Sequence, residues 1–147
     1  MSKNQLIIEI INRYNSRKLK FLIVGSKKEE DIYFNQLVKN IPNDLIINLM
    51  NKSLTLTYGC LSYSKVFIGN DSGLMHLAAA SGINTIGLFG PTRDDWYRPY
   101  GENCHVIRTR ESYNELISKL KDYNKSLMLS IDVNDVIELI EDKKLIE

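Results

Sequence analysis

The feature that most limits how this chain can fold is the junction over residues 66–80. Val66-Phe67-Ile68 reads as a buried strand, Gly69-Asn70-Asp71-Ser72-Gly73 as a polar turn, and Leu74-Met75-His76-Leu77-Ala78-Ala79-Ala80 as an alanine-rich helix. A strand that passes into a helix through small residues is the repeating step of a parallel α/β sheet. Such a junction can hold an anion, because the N–H groups of a helix's first turn lack intrahelical partners and carry partial positive charge. A phosphate against Ser72, Gly73 and Leu74 would satisfy them, with Gly73 allowing close approach. Asp71 would be repelled by that phosphate, so its carboxylate suits sugar hydroxyls, or the helix N-cap. A phosphate beside a sugar suggests a nucleotide-sugar.

The rest of the chain repeats this alternation. Short apolar runs at residues 21–24, 45–48, 66–68, 85–89 and 105–107 read as strands, and residues 27–40, 53–63 and 72–81 as helices. Runs as continuous as Phe21-Leu22-Ile23-Val24 fit a parallel sheet covered by helices on both faces. Right-handed crossovers then bring the strands' C-terminal ends to one edge, where ligands bind in such folds. The segments expected to converge there are Gly25-Ser26, Met50-Asn51-Lys52, Gly69-Asn70-Asp71 and Gly90-Pro91-Thr92. Residues 6–14 read as an opening helix, an unusual start for a doubly wound unit, so a strand is expected upstream. Residues 112–123 and 133–140 read as helices that brace the sheet, the second capped by Asp132 or Asn134. With no repeat and no linker rich in Pro, Gly or Ser, residues 1–147 are expected to form one domain.

Charge and cysteine usage narrow the chemistry. Nineteen basic against eighteen acidic residues give the surface no overall pull toward nucleic acid or anionic lipid. Cys60 and Cys104 are far apart, without a CxxC or a histidine at ligand spacing, so both are expected to be buried thiols and no metal is expected. No run approaches the roughly 20 apolar residues of a membrane helix, and residues 1–9 are too polar for a signal peptide, which makes the cytoplasm the expected compartment.

GxGxxG after a strand and GxxxxGK[ST] are both absent, which removes the main support for dinucleotide and P-loop readings. A second run, Ile86-Gly87-Leu88-Phe89-Gly90-Pro91-Thr92, delivers a strand into a turn followed by a loop, Asp94-Asp95-Trp96-Tyr97-Arg98-Pro99-Tyr100-Gly101. Trp96, Tyr97 and Tyr100 offer flat faces for a base or sugar, and Arg93 and Arg98 offer donors for phosphate.

Asp71-Ser72-Gly73-Leu74-Met75-His76-Leu77-Ala78-Ala79-Ala80, followed by Gly82 and Leu88-Phe89-Gly90-Pro91-Thr92, resembles the heptosyltransferases of lipopolysaccharide core synthesis, glycosyltransferase family nine. The resemblance extends to Val24-Gly25-Ser26 with Glu29, to Asn51-Lys52-Ser53-Leu54 and to residues 128–136, nearly the whole chain. It implies a Rossmann-like doubly wound parallel sheet, the C-terminal, donor-binding half of a B-type glycosyltransferase, taking ADP-heptose or a related nucleotide-sugar without a metal. The N-terminal acceptor domain, with the base that activates a glycan or glycolipid acceptor, is expected to be absent from residues 1–147. The resemblance further implies a cytoplasmic enzyme half, peripheral at the inner membrane. A non-catalytic nucleotide-sugar-binding module or truncated remnant is the alternative, and an exposed cleft face makes self-association an expectation for either.

By the same resemblance, Asp71 holds the donor sugar, Ser72 and Gly73 the diphosphate, His76 lies near the phosphates and Glu29 binds the ribose. Lys52 lies where a main-chain contact to the base is expected, and Thr92, Arg93 and Trp96 are candidate donor-loop contacts. Plainer readings stand beside these. His76 could be a buried histidine satisfied by a carbonyl, and Glu29 or its neighbour Glu30 an acid favoured at a helix start. Trp96 could belong to a packed loop or a docking surface.

Overall fold

The computed structural model describes residues 2–119 and 127–146. They divide into two compact units, Ser2–Thr57 and the residues from Tyr58 onward. Each unit has its own hydrogen-bonded ladder, and both ladders are parallel.

The first unit runs α1 (Lys3–Arg13), β1 (Phe21–Ile23), α2 (Lys27–Leu37), a 3-10 turn (Asn43–Leu45) and β2 (Ile46–Asn48), and ends within α3 (Leu54–Leu61). The helical spacing of Leu6, Ile7 and Ile10 gives α1 one apolar face, and all three are buried. Ile7, Ile23, Ile41 and Met50 form the core, with Phe21, Phe34, Leu37 and Ile46 packed around them. α2 ends at Leu37, and two residues past its cap Val38 the chain turns left-handed at Asn40, φ 62°, a conformation asparagine tolerates. Two carbonyls near that end, Leu37 and Lys39, accept hydrogen bonds from Asn4 Nδ2 at 2.7 and 2.8 Å.

The second unit contains β3 (Val66–Asn70), α4 (Gly73–Ala80), β4 (Asn84–Phe89), α5 (Asp94–Tyr97), β5 (Cys104–Arg108), α6 (Tyr113–Lys119) and α7 (Val133–Asp142). The strand order is β3-β4-β5. β4 is therefore central, and Thr85 through Phe89 are buried without interruption, as a continuous apolar run in a covered parallel sheet requires. α4 packs on β3 and β4 and sends the fully buried Met75 and Ala78 into the core. Gly87 makes that contact possible: a Cβ there would stand 2.7 Å from Met75 Sδ and 2.9 Å from the Phe89 ring. α4 stops at Ser81, after which Gly82 adopts φ 81°, the left-handed turn for which glycine has no steric penalty. Truncating Met75 to alanine in such a core costs about 2–5 kcal/mol.

Several expectations change in detail. The strands arrive as separate two- and three-stranded ladders, and residue 45 lies in the 3-10 turn ahead of β2. The loop expected after Thr92 contains the one-turn helix α5, whose first turn holds Asp94 and Asp95, where acids complement the dipole. Of the helix expected over 112–123, residues 113–119 are helical, and 120–123 lie outside the described residues. Asp132, not Asn134, caps α7: its Oδ1 accepts from Asn134 N at 2.9 Å, and its own N–H donates to Asp135 Oδ2 at 2.8 Å. Cys104 is buried but Cys60 is only half-buried. No helix among the described residues is long and apolar enough to cross a membrane.

Candidate functional site

The second unit's open end begins where β3 stops. Asp71 N–H donates to Leu88 O at 3.3 Å, so the chain leaves the sheet alongside β4. Ser72, extended at φ −167° and ψ 164°, is the N-cap of α4. Its Oγ accepts from Met75 N–H at 3.4 Å, and its carbonyl accepts from Met75 and His76 N–H at 3.1 and 3.3 Å. The Gly73 and Leu74 N–H groups make no hydrogen bond among the described residues, and a Cβ on Gly73 would meet nothing within 4 Å. Unpaired donors thus stand at the positive end of a helix.

Asp71 is half-buried, and its carboxylate has no hydrogen bond or ion pair among the described residues. With the cap assigned to Ser72, this carboxylate remains an acceptor available to hydroxyl donors. His76 lies one turn along and is exposed, its ring without a partner among the described residues. The carbonyl-satisfied buried histidine is therefore not what the fold builds.

β4 ends beside β3 and delivers the second loop. Arg108, the last residue of β5, stands opposite Phe89 in the ladder. Its guanidinium donates to Gly90 O at 3.0 Å and Thr92 O at 3.4 Å, and pairs with the Asp94 carboxylate. Thr92 is half-buried and its hydroxyl makes no hydrogen bond among the described residues. Arg93 donates from Nε and a terminal nitrogen to Asp95 at 3.1 and 2.5 Å, and its guanidinium sits 4.0 Å from the Trp96 ring centroid. This pairing holds the Asp95 carboxyl below the usual carboxylate range and raises Arg93. Arg93 is thus already engaged, whereas Arg98 is exposed without an ion pair among the described residues. Trp96 remains 67% exposed and meets Tyr97 edge-on at 6.4 Å.

In the first unit the strand-end loops are closed by their own side chains. Ser26 caps α2: its Oγ accepts from Glu29 N–H at 3.3 Å, while Glu29 Oε2 accepts from Ser26 N–H at 2.8 Å and from its hydroxyl at 2.7 Å. This is a capping box. These bonds, the backbone one foremost, hold the Glu29 carboxyl below its ordinary range. Glu29 is exposed, and Oε1 makes no hydrogen bond among the described residues. Glu30, the competing acid, accepts from Asn48 Nδ2 at 2.8 Å. Asn51 turns at φ 57° and donates its N–H to Gly25 O at 2.9 Å, and Lys52 beyond it is exposed. Both segments follow the C-terminal ends of β1 and β2.

Arg108 is the participant that reading the sequence missed. Its charge at the end of an apolar run was visible in the sequence, but its place beside the Gly-Pro turn comes from the β4–β5 pairing. No three His, Cys, Asp or Glu side chains gather as metal ligands among the described residues.

Residues 8–127 match the family described as glycosyltransferase family 9 (heptosyltransferase). Lipooligosaccharide heptosyltransferase 2 of Haemophilus influenzae is 31% identical over 115 residues, which make up 72% of this chain and 32% of that protein. The chain spans between 28% and 32% of the first curated relatives it matches. A glycosyl transferase of family 9 from Veillonella parvula has a similar structure, with TM-score 0.78 and 21% identity over 95% of this chain and 40% of that one. The heptosyltransferase WaaC of E. coli, solved with ADP, aligns with TM-score 0.75 and 21% identity over 96% of this chain and 38% of its own. Its complex with ADP-2-deoxy-2-fluoro heptose gives TM-score 0.71 at 23% identity, over 97% and 37%. The fold is the Rossmann-like α/β fold of B-type glycosyltransferases, and with a family match over well more than half its length the chain belongs to glycosyltransferase family 9, the heptosyltransferases.

Proposed function

We propose that this chain is the donor-binding, C-terminal half of a glycosyltransferase that transfers heptose from ADP-heptose to the lipopolysaccharide core or a related glycan. One observation carries the reading. The partnerless, half-buried Asp71 carboxylate stands beside the unpaired Gly73 and Leu74 N–H groups, which matches a sugar linked to a phosphate. The complexes of the similar WaaC with ADP and with an ADP-fluoroheptose support the choice of donor.

In this reading Asp71 accepts from heptose hydroxyls, Ser72 and Gly73 cradle the diphosphate, and the His76 ring donates to a phosphate oxygen. Glu29 accepts from the ribose through Oε1, the Lys52 main chain meets the base, and Thr92, Arg93 and Trp96 border the donor. The bond between the anomeric carbon and the β-phosphate oxygen breaks as the acceptor oxygen bonds to that carbon, and the acceptor's proton passes to a base in the acceptor-binding part. ADP departs with added charge, which the α4 N–H groups and nearby cations offset as a preorganised field, with no metal assigned. Action at the cytoplasmic face of the inner membrane and self-association belong to the same reading. A strict monomer at high concentration in sedimentation would count against self-association.

Calorimetric titration with ADP, ADP-heptose, UDP and UDP-glucose, beside Asp71→Ala, tests the assignment. Tighter binding of ADP-heptose than of ADP, with the difference lost in the variant, supports it. Binding of no ADP ligand overturns it. Transfer assays with added acceptor separate an active enzyme half from a binding module.

A further inference from the structure

We propose that Arg108 is a positioning residue of the donor site: it holds the Gly90-Pro91-Thr92 turn and the start of α5 in the shape that receives the nucleotide-sugar. The inference rests on the donor reading above. Arg108 enters the turn from the neighbouring strand, and its planar fork gathers two carbonyls two residues apart, Gly90 and Thr92, together with the Asp94 carboxylate. The pair is partly shielded, with the Arg108 and Asp94 side chains 25% and 35% exposed, so solvent and salt screen it less than a surface pair. Gly90 also packs against the Met128 side chain and, at 3.2 Å from a would-be Cβ, the Leu127 carbonyl. The turn is thus held by Arg108, while the Thr92 hydroxyl is left without a partner among the described residues. A lysine could restore the Asp94 pair but not the fork, because an ammonium is a single compact charge.

Trp96, the chain's single tryptophan, lies in α5 two residues after Asp94 and reports the turn's order by fluorescence anisotropy. Arg108→Gln should weaken ADP-heptose binding about tenfold, the scale of one charge-assisted hydrogen bond. It should also lower Trp96 anisotropy and leave far-UV circular dichroism unchanged. Arg108→Lys should recover little of the affinity. Wild-type affinity in Arg108→Gln, or full recovery in Arg108→Lys, overturns the proposal and leaves the donor site standing. Weaker binding with Trp96 unmoved overturns it in favour of direct ligand contact. A wild-type chain that binds no ADP ligand overturns both readings together. If Arg108→Gln does not fold, Asp94→Asn decides: weaker binding with a looser Trp96 supports the proposal, and wild-type affinity overturns it.

Discussion

Glu29 and Asp71 both follow the C-terminal end of a parallel strand and both belong to the start of a helix, yet their surroundings are opposite. Glu29 accepts two hydrogen bonds from Ser26, and its loop takes its shape from that closure. Asp71 has no side-chain partner among the described residues, because Ser72 has taken over the capping of α4. Glu29's free energy therefore goes first into the local fold. Asp71 is held by the sheet itself, through the Asp71 N–H bond to Leu88, and its acceptor capacity stays available. A family role for both residues asks Glu29 to share one oxygen and Asp71 to share nothing.

Mutations can break or sharpen this contrast. Asp71→Ala should cost the most in binding, about 1.5–3 kcal/mol of ADP-heptose affinity for the lost charge-assisted bonds, with Tm unchanged. A fall in Tm of more than a few degrees would place Asp71 with Glu29 as a structural residue. Gly73→Ala should lose diphosphate affinity at the lower end of the roughly 1–3 kcal/mol that an intruding methyl costs. Its Tm should hold or rise, since alanine favours a helix over glycine by about 0.5–1 kcal/mol and the added Cβ meets no protein atom within 4 Å. Ser26→Ala should act the other way, lowering stability by about 1 kcal/mol through loss of the cap, as read by denaturant unfolding. ADP binding should change less than stability does.

The smallest effect concerns pH. Glu29's carboxyl is depressed in the fold, so its contribution is complete above the unfolded-state carboxylate range and is lost as pH falls through the folded one. Glu29→Gln should therefore melt slightly earlier than wild type near neutrality, and the gap in Tm should close as pH falls from the ordinary glutamate range through the lowered one in the fold. A gap that does not change with pH would show that the charge of the Glu29 carboxylate is not what stabilises the box.

Much of the second unit was legible in the sequence, because its signals are local. The uninterrupted apolar run of β4, the small-residue turn before α4 and the acid cap of α7 each declare an element within a few residues. What stayed hidden depends on relations between elements. Arg108 acquires its role from the pairing of β5 with β4, which sets it opposite Phe89, and no periodicity in either strand reveals that register. α5 is a single turn of four residues, too short for a helical pattern. For Glu29 the signal was present but ambiguous: Ser26-x-x-Glu29 is a capping-box spacing, and the resemblance assigned the same carboxylate to a ribose.

Gly87 carries a consequence for how this chain can vary. Met75 and Phe89 occupy the space a side chain would need there, so random replacements at 87 should vanish from any library sorted only for soluble, folded protein. Gly73 faces no such neighbour, and its replacements should survive that sort and disappear only when the library is then sorted for binding of ADP-heptose. Two identical letters fourteen positions apart would answer to different selections, one to the folding of α4 onto β4 and one to the molecule that arrives at its end.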